Sequence, residues 1–237
     1  MKLGKDVFEW AYVALFLIAL GYIGMGATLN HELSHPYPYG LSASDAYGDV
    51  AFINGVIDLG SYKVIPGYIR AGFDDTVGFH MPIFYHLVAM FSLTSGIPVW
   101  DAAIVISMFF SLIAVLMMYI LIREYSKHVA LLSLPLTVFL YVGTFQTIYN
   151  WGVWDLVVAN AFLIASVFAL SKLEEQNMWI VLGVLSAAIA LAHITEAFFF
   201  VLFAMVYLAV KIIKRSLSVA YIKKLAGSAM LSLGISV

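Results

Sequence analysis

Between Asp101 and Arg123 the chain runs for 21 residues, Ala102 to Ile122, without a charge. As a helix that run is about 30 Å long, the thickness of a bilayer's hydrocarbon core. Trp10 to Asn30 is a second 21-residue run of the same kind, preceded by Lys2 and Lys5. A cleavable signal peptide is the rival reading there, but its apolar core is usually only about 7–15 residues. Val7 to Ala27 is therefore read as the first crossing and Ala102 to Ile122 as the second.

Shorter apolar runs follow the same logic. Val129 to about Phe145 predicts a third helix, in which Pro135 is tolerated or makes a kink. Leu156 to Ser171 predicts a fourth. Met178 to Val210 is 33 residues interrupted only by His193 and Glu196; as one helix it would reach about 50 Å, too long for a single span. It is read as two short helices turning at AHITEA. The last run, Leu225 to Val237, has thirteen residues, too few to cross, and is read as the start of a seventh helix in a truncated chain. The expected fold is an all-α membrane protein, a polytopic bundle of about seven transmembrane helices forming one module over 1–237. Composition agrees, because 63% hydrophobic and 11% charged residues differ sharply from the roughly 25% charge of soluble domains. Zero cysteines exclude disulfides and thiolate metal sites, and the sparse basic residues give no support to nucleic-acid binding.

The long interval between the first two crossings, 31–100, contains five of the six prolines and eight glycines, with Lys63 and Arg70 its only bases. This reads as a folded loop. Within it SASDAYGDVAFINGVIDLG, Ser42 to Gly60, predicts an amphipathic helix. Ser44 is a natural N-cap and Gly60 a natural stop, with Asp45 and Asp49 four apart on one face and Ala46, Val50, Ile53 and Ile57 opposite. Met81 to Gly96 is apolar but only 16 residues long, and a re-entrant or interfacial helix suits it.

Charge distribution orients the chain. If Met81 to Gly96 does not cross and the N-terminus is cytoplasmic, ten of the twelve Lys and Arg lie inside and only Lys63 and Arg70 outside. An N-terminus outside with that segment crossing gives the same count. The bases flanking the first helix favour the first arrangement, because long loops weigh little. Asp45, Asp49, Asp74 and Asp75, then Asp155 in the second outer loop (146–155), then His193 and Glu196 in the third (193–196), all then share one face. His31, His35, His80 and His86 join them.

Several of these residues carry chemistry. Asp45 and Asp49 can supply a general base and a metal ligand, or form a solvated helix face. Asp155 is the only acid between Glu124 and Glu174 and stands beside Tyr149, Asn150, Trp151 and Trp154. Isolated acids at a membrane boundary are functional candidates, although an acidic helix start within an aromatic belt is the plainer alternative. His193 and Glu196 at i, i+3 can share one cavity or simply form a polar turn. His80, His86, His193, Tyr47 and Trp154 are candidates for substrate contact. No GxGxxG, Walker, HExxH or GxSxG pattern occurs.

In this order the chain resembles the GT-C superfamily of membrane glycosyltransferases, nearest the oligosaccharyltransferase catalytic subunits and the protein O-mannosyltransferases. The stretches that carry the resemblance are SDAYGDVAFINGVIDLGSY directly after the first helix, GFHMPIFYHLVAMFSLTSGIP before the second, the short basic loop REYSKH, the acid-bearing loop NWGVWD, and LAHITEAFFF. Tyr47 and Gly48 replace an aromatic doublet of that pattern, and the second loop has one acid rather than two. The resemblance implies a sugar or oligosaccharide donor linked to polyprenyl phosphate or diphosphate and delivered within the bilayer. The acceptor would be a peptide, glycan or lipid on the extracytoplasmic face. It implies Asp45 as catalytic base, with Asp49 second, and Asp155, with Asp49 or Glu196, as ligands of Mg²⁺ or Mn²⁺. The alternatives are a polytopic transporter or lipid-binding membrane protein, or a non-catalytic fragment of a larger assembly.

Overall fold

The computed structural model describes residues 3–29, 44–60, 82–137, 148 and 151–236; among them every regular element is helical. The helices are α1 (Leu3–Leu29), α2 (Ser44–Leu59), α3 (Pro82–Ser95), α4 (Val99–Arg123), α5 (Lys127–Ser133), α6 (Trp154–Ser171), α7 (Met178–Ala192), α8 (Ile194–Ile213) and α9 (Val219–Ser236). Four are long and apolar enough to cross a membrane: Val7–Gly26 within α1, α4, α6 and α8. The chain is thus a helical membrane protein with four candidate spans among the described residues, while α3 and α7 are apolar but shorter.

Several boundaries depart from the sequence reading for local reasons. Pro135 lacks an N–H, and α5 gives way there to a 3-10 turn, Leu134–Leu136; the expected third helix beyond 137 lies outside the described residues. α6 begins at Trp154 rather than after Asp155, so both side chains belong to the helix's first turn, where a carboxylate suits the N-terminal dipole. The break at His193 is present, with extended φ −162° and ψ 126° between α7 and α8. α8 is a full-length apolar helix of 20 residues rather than a short one. α9 starts at Val219, six residues before the apolar run that predicted it.

Two compact units divide the chain. The first comprises 1–80 and 84–157. In it α1 packs along α4, and Gly21 permits the approach: a Cβ there would meet Leu112 Cδ1 at 3.2 Å. α4 buries Ser107 and Ser111, whose hydroxyls donate to the carbonyls of Ala103 (2.8 Å) and Ser107 (2.9 Å), so neither hydroxyl faces the apolar packing unpaired. At the end of this helix pair, Glu9 is buried at 4% exposure beneath two cations. It accepts from Tyr119 Oη and Arg123 Nε, both at 2.5 Å, and pairs with Lys127 Nζ. Arg123 also lies over the Trp10 ring, 5.5 Å from its centroid. Ser126 caps α5 by accepting from the Val129 N–H at 3.3 Å, which fixes the turn that delivers Lys127.

The second unit comprises 81–83 and 158–237. Its core joins Ala169, Leu170 and Leu173 to Leu182 of α7 and Tyr221 of α9, whose hydroxyl donates to the Leu170 carbonyl at 3.2 Å. Small residues bring α7 and α9 together. A Cβ at Gly183 would sit 2.9 Å from the Ser228 carbonyl oxygen, and one at Gly227 would press the Trp179 ring at 3.3 Å. Close approach through glycine is how helices gain dispersion contact in lipid, where burial itself supplies little drive.

Candidate functional site

In the first unit α2 presents its two acids differently. Asp45, in the first turn, is exposed, while Asp49, one turn on, is only 7% exposed. The apolar residues that seat this helix are Ala46, Val50 and Ile53, at positions i, i+4 and i+7, all buried. Asp49 follows Ala46 by three and so turns toward the same interior. The helix ends as expected at Gly60, φ +62°, with the Gly60 N–H donating to the Val56 carbonyl at 2.9 Å.

Asp49 finds its partner on α3. Tyr85 Oη donates to Asp49 Oδ1 at 3.0 Å, and the Tyr85 ring stacks on Phe52 with centroids 5.5 Å apart. Asp49 Oδ2 is buried and has no hydrogen-bond partner among the described residues. Burial is the largest influence on this carboxyl and pushes its proton affinity well above the ordinary carboxylate range. The negative field of Asp155 adds to that push, the Tyr85 hydrogen bond opposes it, and Asp45 contributes a smaller increase. The Tyr85 phenol is itself pushed up, first by burial and then by Asp49, so it remains a donor.

Asp155 is set by the start of α6. Its Oδ1 accepts from the Leu156 N–H at 2.8 Å, and the preceding Trp154, fully buried, donates through Nε1 to the Ile148 carbonyl at 2.8 Å. Phe84 of α3 lies against the Trp154 ring, centroids 6.3 Å apart. Gly152 settles the approach to α2: its φ is +68°, and a Cβ there would lie 2.9 Å from Ala46 Cα and 3.0 Å from Ala46 N. Only a glycine lets the strand of chain before α6 touch the α2 backbone between the two acids.

Asp45, Asp49 and Asp155 therefore act on one neighbourhood of a single unit, in which Tyr85 is bonded to Asp49. Tyr47 stands on the exposed side, edge-on to Trp100 at 5.7 Å. His86 is half-buried one residue beyond Tyr85 on α3. His80, like Asp74, Asp75, His31 and His35, lies outside the described residues. His193 and Glu196 belong to the second unit, where His193 Nδ1 and Glu196 Oε2 are in contact at the α7–α8 break and Glu196 is buried. Among the described residues no group of three or more His, Cys, Asp or Glu is placed to hold a metal ion. The donors that suit a hard cation are the carboxylates of Asp49, with its open Oδ2, and Asp155.

Two contributors had no sequence motif of their own. Tyr85 was one aromatic in an apolar run, and its signal was only the HMPIFYH context. Gly152 was a glycine between two tryptophans, in a loop too aromatic to need flexibility. No protein-family model, curated protein or solved structure matches this chain.

Proposed function

We propose that this chain is the membrane module of a glycosyltransferase that moves a sugar from a polyprenyl-phosphate or polyprenyl-diphosphate donor to an acceptor on the extracytoplasmic face, its N-terminus being cytoplasmic. The observation that carries the reading is the approach of the segment before Asp155 to α2, where Gly152 lies against Ala46, so that Asp45, Asp49 and Asp155 share one electrostatic neighbourhood although more than a hundred residues separate Asp155 from the other two. A transferase of this class needs one carboxylate to take the acceptor's proton and others to balance the departing phosphate.

Asp45 is the exposed acid and suits the first task. As the acceptor oxygen bonds to the anomeric carbon, the bond to the donor phosphate breaks and the acceptor proton passes to the Asp45 carboxylate. Asp49 and Asp155 would hold a Mg²⁺ or Mn²⁺, which when bound supplies charge neutralisation for the leaving phosphate. Two carboxylates fit that task, because Mg²⁺ at phosphate sites commonly takes one or two from the protein and the rest from substrate and water. Tyr85 holds Asp49 in place, and the short apolar α3 would roof the site beside the donor's isoprenoid tail. Glu196 is not assigned a role, since His193 engages it.

Transfer of radiolabelled sugar from a polyprenyl donor tests this, with loss expected in Asp45→Asn and Asp155→Asn protein. Wild-type rates in both variants would end the assignment. A second reading, a proton-coupled carrier, draws on the raised proton affinity of buried Asp49. Proton-driven solute uptake into liposomes that disappears in Asp49→Asn, without sugar transfer, would select it.

A further inference from the structure

The segment Lys211 to Lys224, KIIKRSLSVAYIKK, holds five bases and no acid. It connects α8 to α9, and the structure treats its bases in two ways. Lys211 Nζ sits over the Tyr221 ring, 4.2 Å from the centroid, and Lys224 Nζ donates to the carbonyls of Glu174 (2.6 Å) and Glu175 (2.9 Å). The neighbouring carboxylates are engaged as well: Glu174 accepts from Ser218 Oγ at 3.0 Å and Glu175 pairs with Lys172 at 3.3 Å. Lys214, Arg215 and Lys223 are exposed, and among the described residues no ion pair is found for them.

The backbone at Arg215 is unusual. The Ser216 N–H donates to the Lys211 carbonyl and the Arg215 N–H to the Ile212 carbonyl, both at 2.9 Å. This pair of bonds is a Schellman ending, whose left-handed residue is normally glycine. Here it is Arg215, at φ +51°. A side chain kept where glycine would fit without strain points to use of that side chain. Its surroundings say for what. Lys214 directly follows the 20-residue apolar helix α8, and the cations are interleaved with the exposed apolar side chains Ile212, Ile213, Val219 and Ile222. Apolar side chains exposed among unpaired cations at the end of a candidate span belong at headgroup depth.

We propose that Lys214, Arg215 and Lys223 form a binding surface for the headgroups of anionic phospholipids in the leaflet at the α8–α9 turn. Retention of positive loops on one side of the membrane accounts for bases in this segment in any conformation. It accounts neither for an arginine in a glycine's place nor for three cations that have no carboxylate partner among the described residues. The helix C-terminal dipole is already met by Lys211 in the last turn of α8.

The test uses the full chain in neutral detergent, titrated with mixed micelles of dioleoylphosphatidylglycerol or dioleoylphosphatidylcholine, bound lipid being counted by native mass spectrometry. The wild-type chain should prefer phosphatidylglycerol. Lys214→Gln, Arg215→Gln and Lys223→Gln should each weaken that preference about fivefold, equivalent to ~1 kcal/mol per cation, and the triple variant should abolish it. Arg215→Gly provides an independent reading, since it should raise the melting temperature while lowering phosphatidylglycerol binding. The proposal is overturned if the wild-type chain does not discriminate between the lipids, if the triple variant keeps the preference, or if inorganic phosphate displaces phosphatidylglycerol at equal concentration, which would mark a free-anion site.

Discussion

Tyr85 Oη reaches Asp49 Oδ1 across 36 residues and fastens α3 to the carboxylate that α2 buries. The bond gives one oxygen a donor, and the other has none among the described residues. A buried carboxyl with half its hydrogen-bonding capacity unmet favours the protonated form, and this asymmetry makes the site sensitive to substitution.

Removing the phenol hydroxyl should expose that dependence. Tyr85→Phe leaves Asp49 Oδ1 buried without its donor and is expected to destabilise the first unit by about 1–3 kcal/mol. Asp49→Asn keeps the shape without the charge and should be nearly neutral. The double variant should be less destabilised than the sum of the singles, as measured by a double-mutant cycle on thermal unfolding in detergent. Strict additivity would show that the hydrogen bond carries no coupling.

Asp49 also sets a pH dependence. Its folded-state proton affinity is raised above the ordinary carboxyl value of 3.8, so above that pH the unfolded chain gives up this proton more readily than the folded one. Stability from this group is complete below pH 3.8 and declines as pH rises toward the folded value. As pH rises above 3.8, the unfolding midpoint of the wild-type chain should fall more steeply than that of Asp49→Asn. Parallel curves would contradict a buried protonated carboxyl.

Glycines 48 and 152 should respond in opposite directions. Gly152→Ala forces a Cβ against the Ala46 backbone at positive φ, with an expected cost of about 1–3 kcal/mol. Gly48, inside α2, has nothing within 4 Å of a new Cβ; alanine there should stabilise by about 0.5–1 kcal/mol through helix propensity. Melting temperatures of the two variants decide the matter, and a neutral Gly152→Ala would mean that the loop does not depend on this contact.

Glu9 is the fourth test. Glu9→Gln leaves Arg123 and Lys127 without their shared carboxylate while keeping the shape. Because both cations are about one-third exposed, the cost should stay below that of a wholly buried pair, at about 1–3 kcal/mol. Adding Arg123→Gln should recover part of the loss. Unfolding by urea in detergent measures both.

Much of the helical order was legible in the sequence because length and period are local. The 21 uncharged residues before Arg123, the stop at Gly60 and the break at His193 each follow from a run, a glycine or a polar interruption. Asp45 and Asp49 on one helix followed likewise. Spacing could not tell which of them is buried, because that depends on what α2 packs against. Nor could it pair Asp49 with Tyr85, or reveal that Gly152 is required by the backbone of Ala46. Glu9 was hidden for a related reason. It lies just outside the uncharged run, and its partners on α4 and α5 are more than a hundred residues away. Arg215 was an ordinary basic residue until its φ was seen.

That separation gives Glu9 a history during synthesis. Its hydrogen-bond partners Tyr119 and Arg123 follow it by 110 and 114 residues. At translation rates of about 5–20 residues per second, roughly 6–23 s pass before the ribosome has made them. For that interval the bases nearest this acid are Lys2 and Lys5, on its own N-terminal side. The Glu9 cluster can therefore close only after α4 and α5 have been made, so the contacts that join α1 to them follow the synthesis of α1 itself.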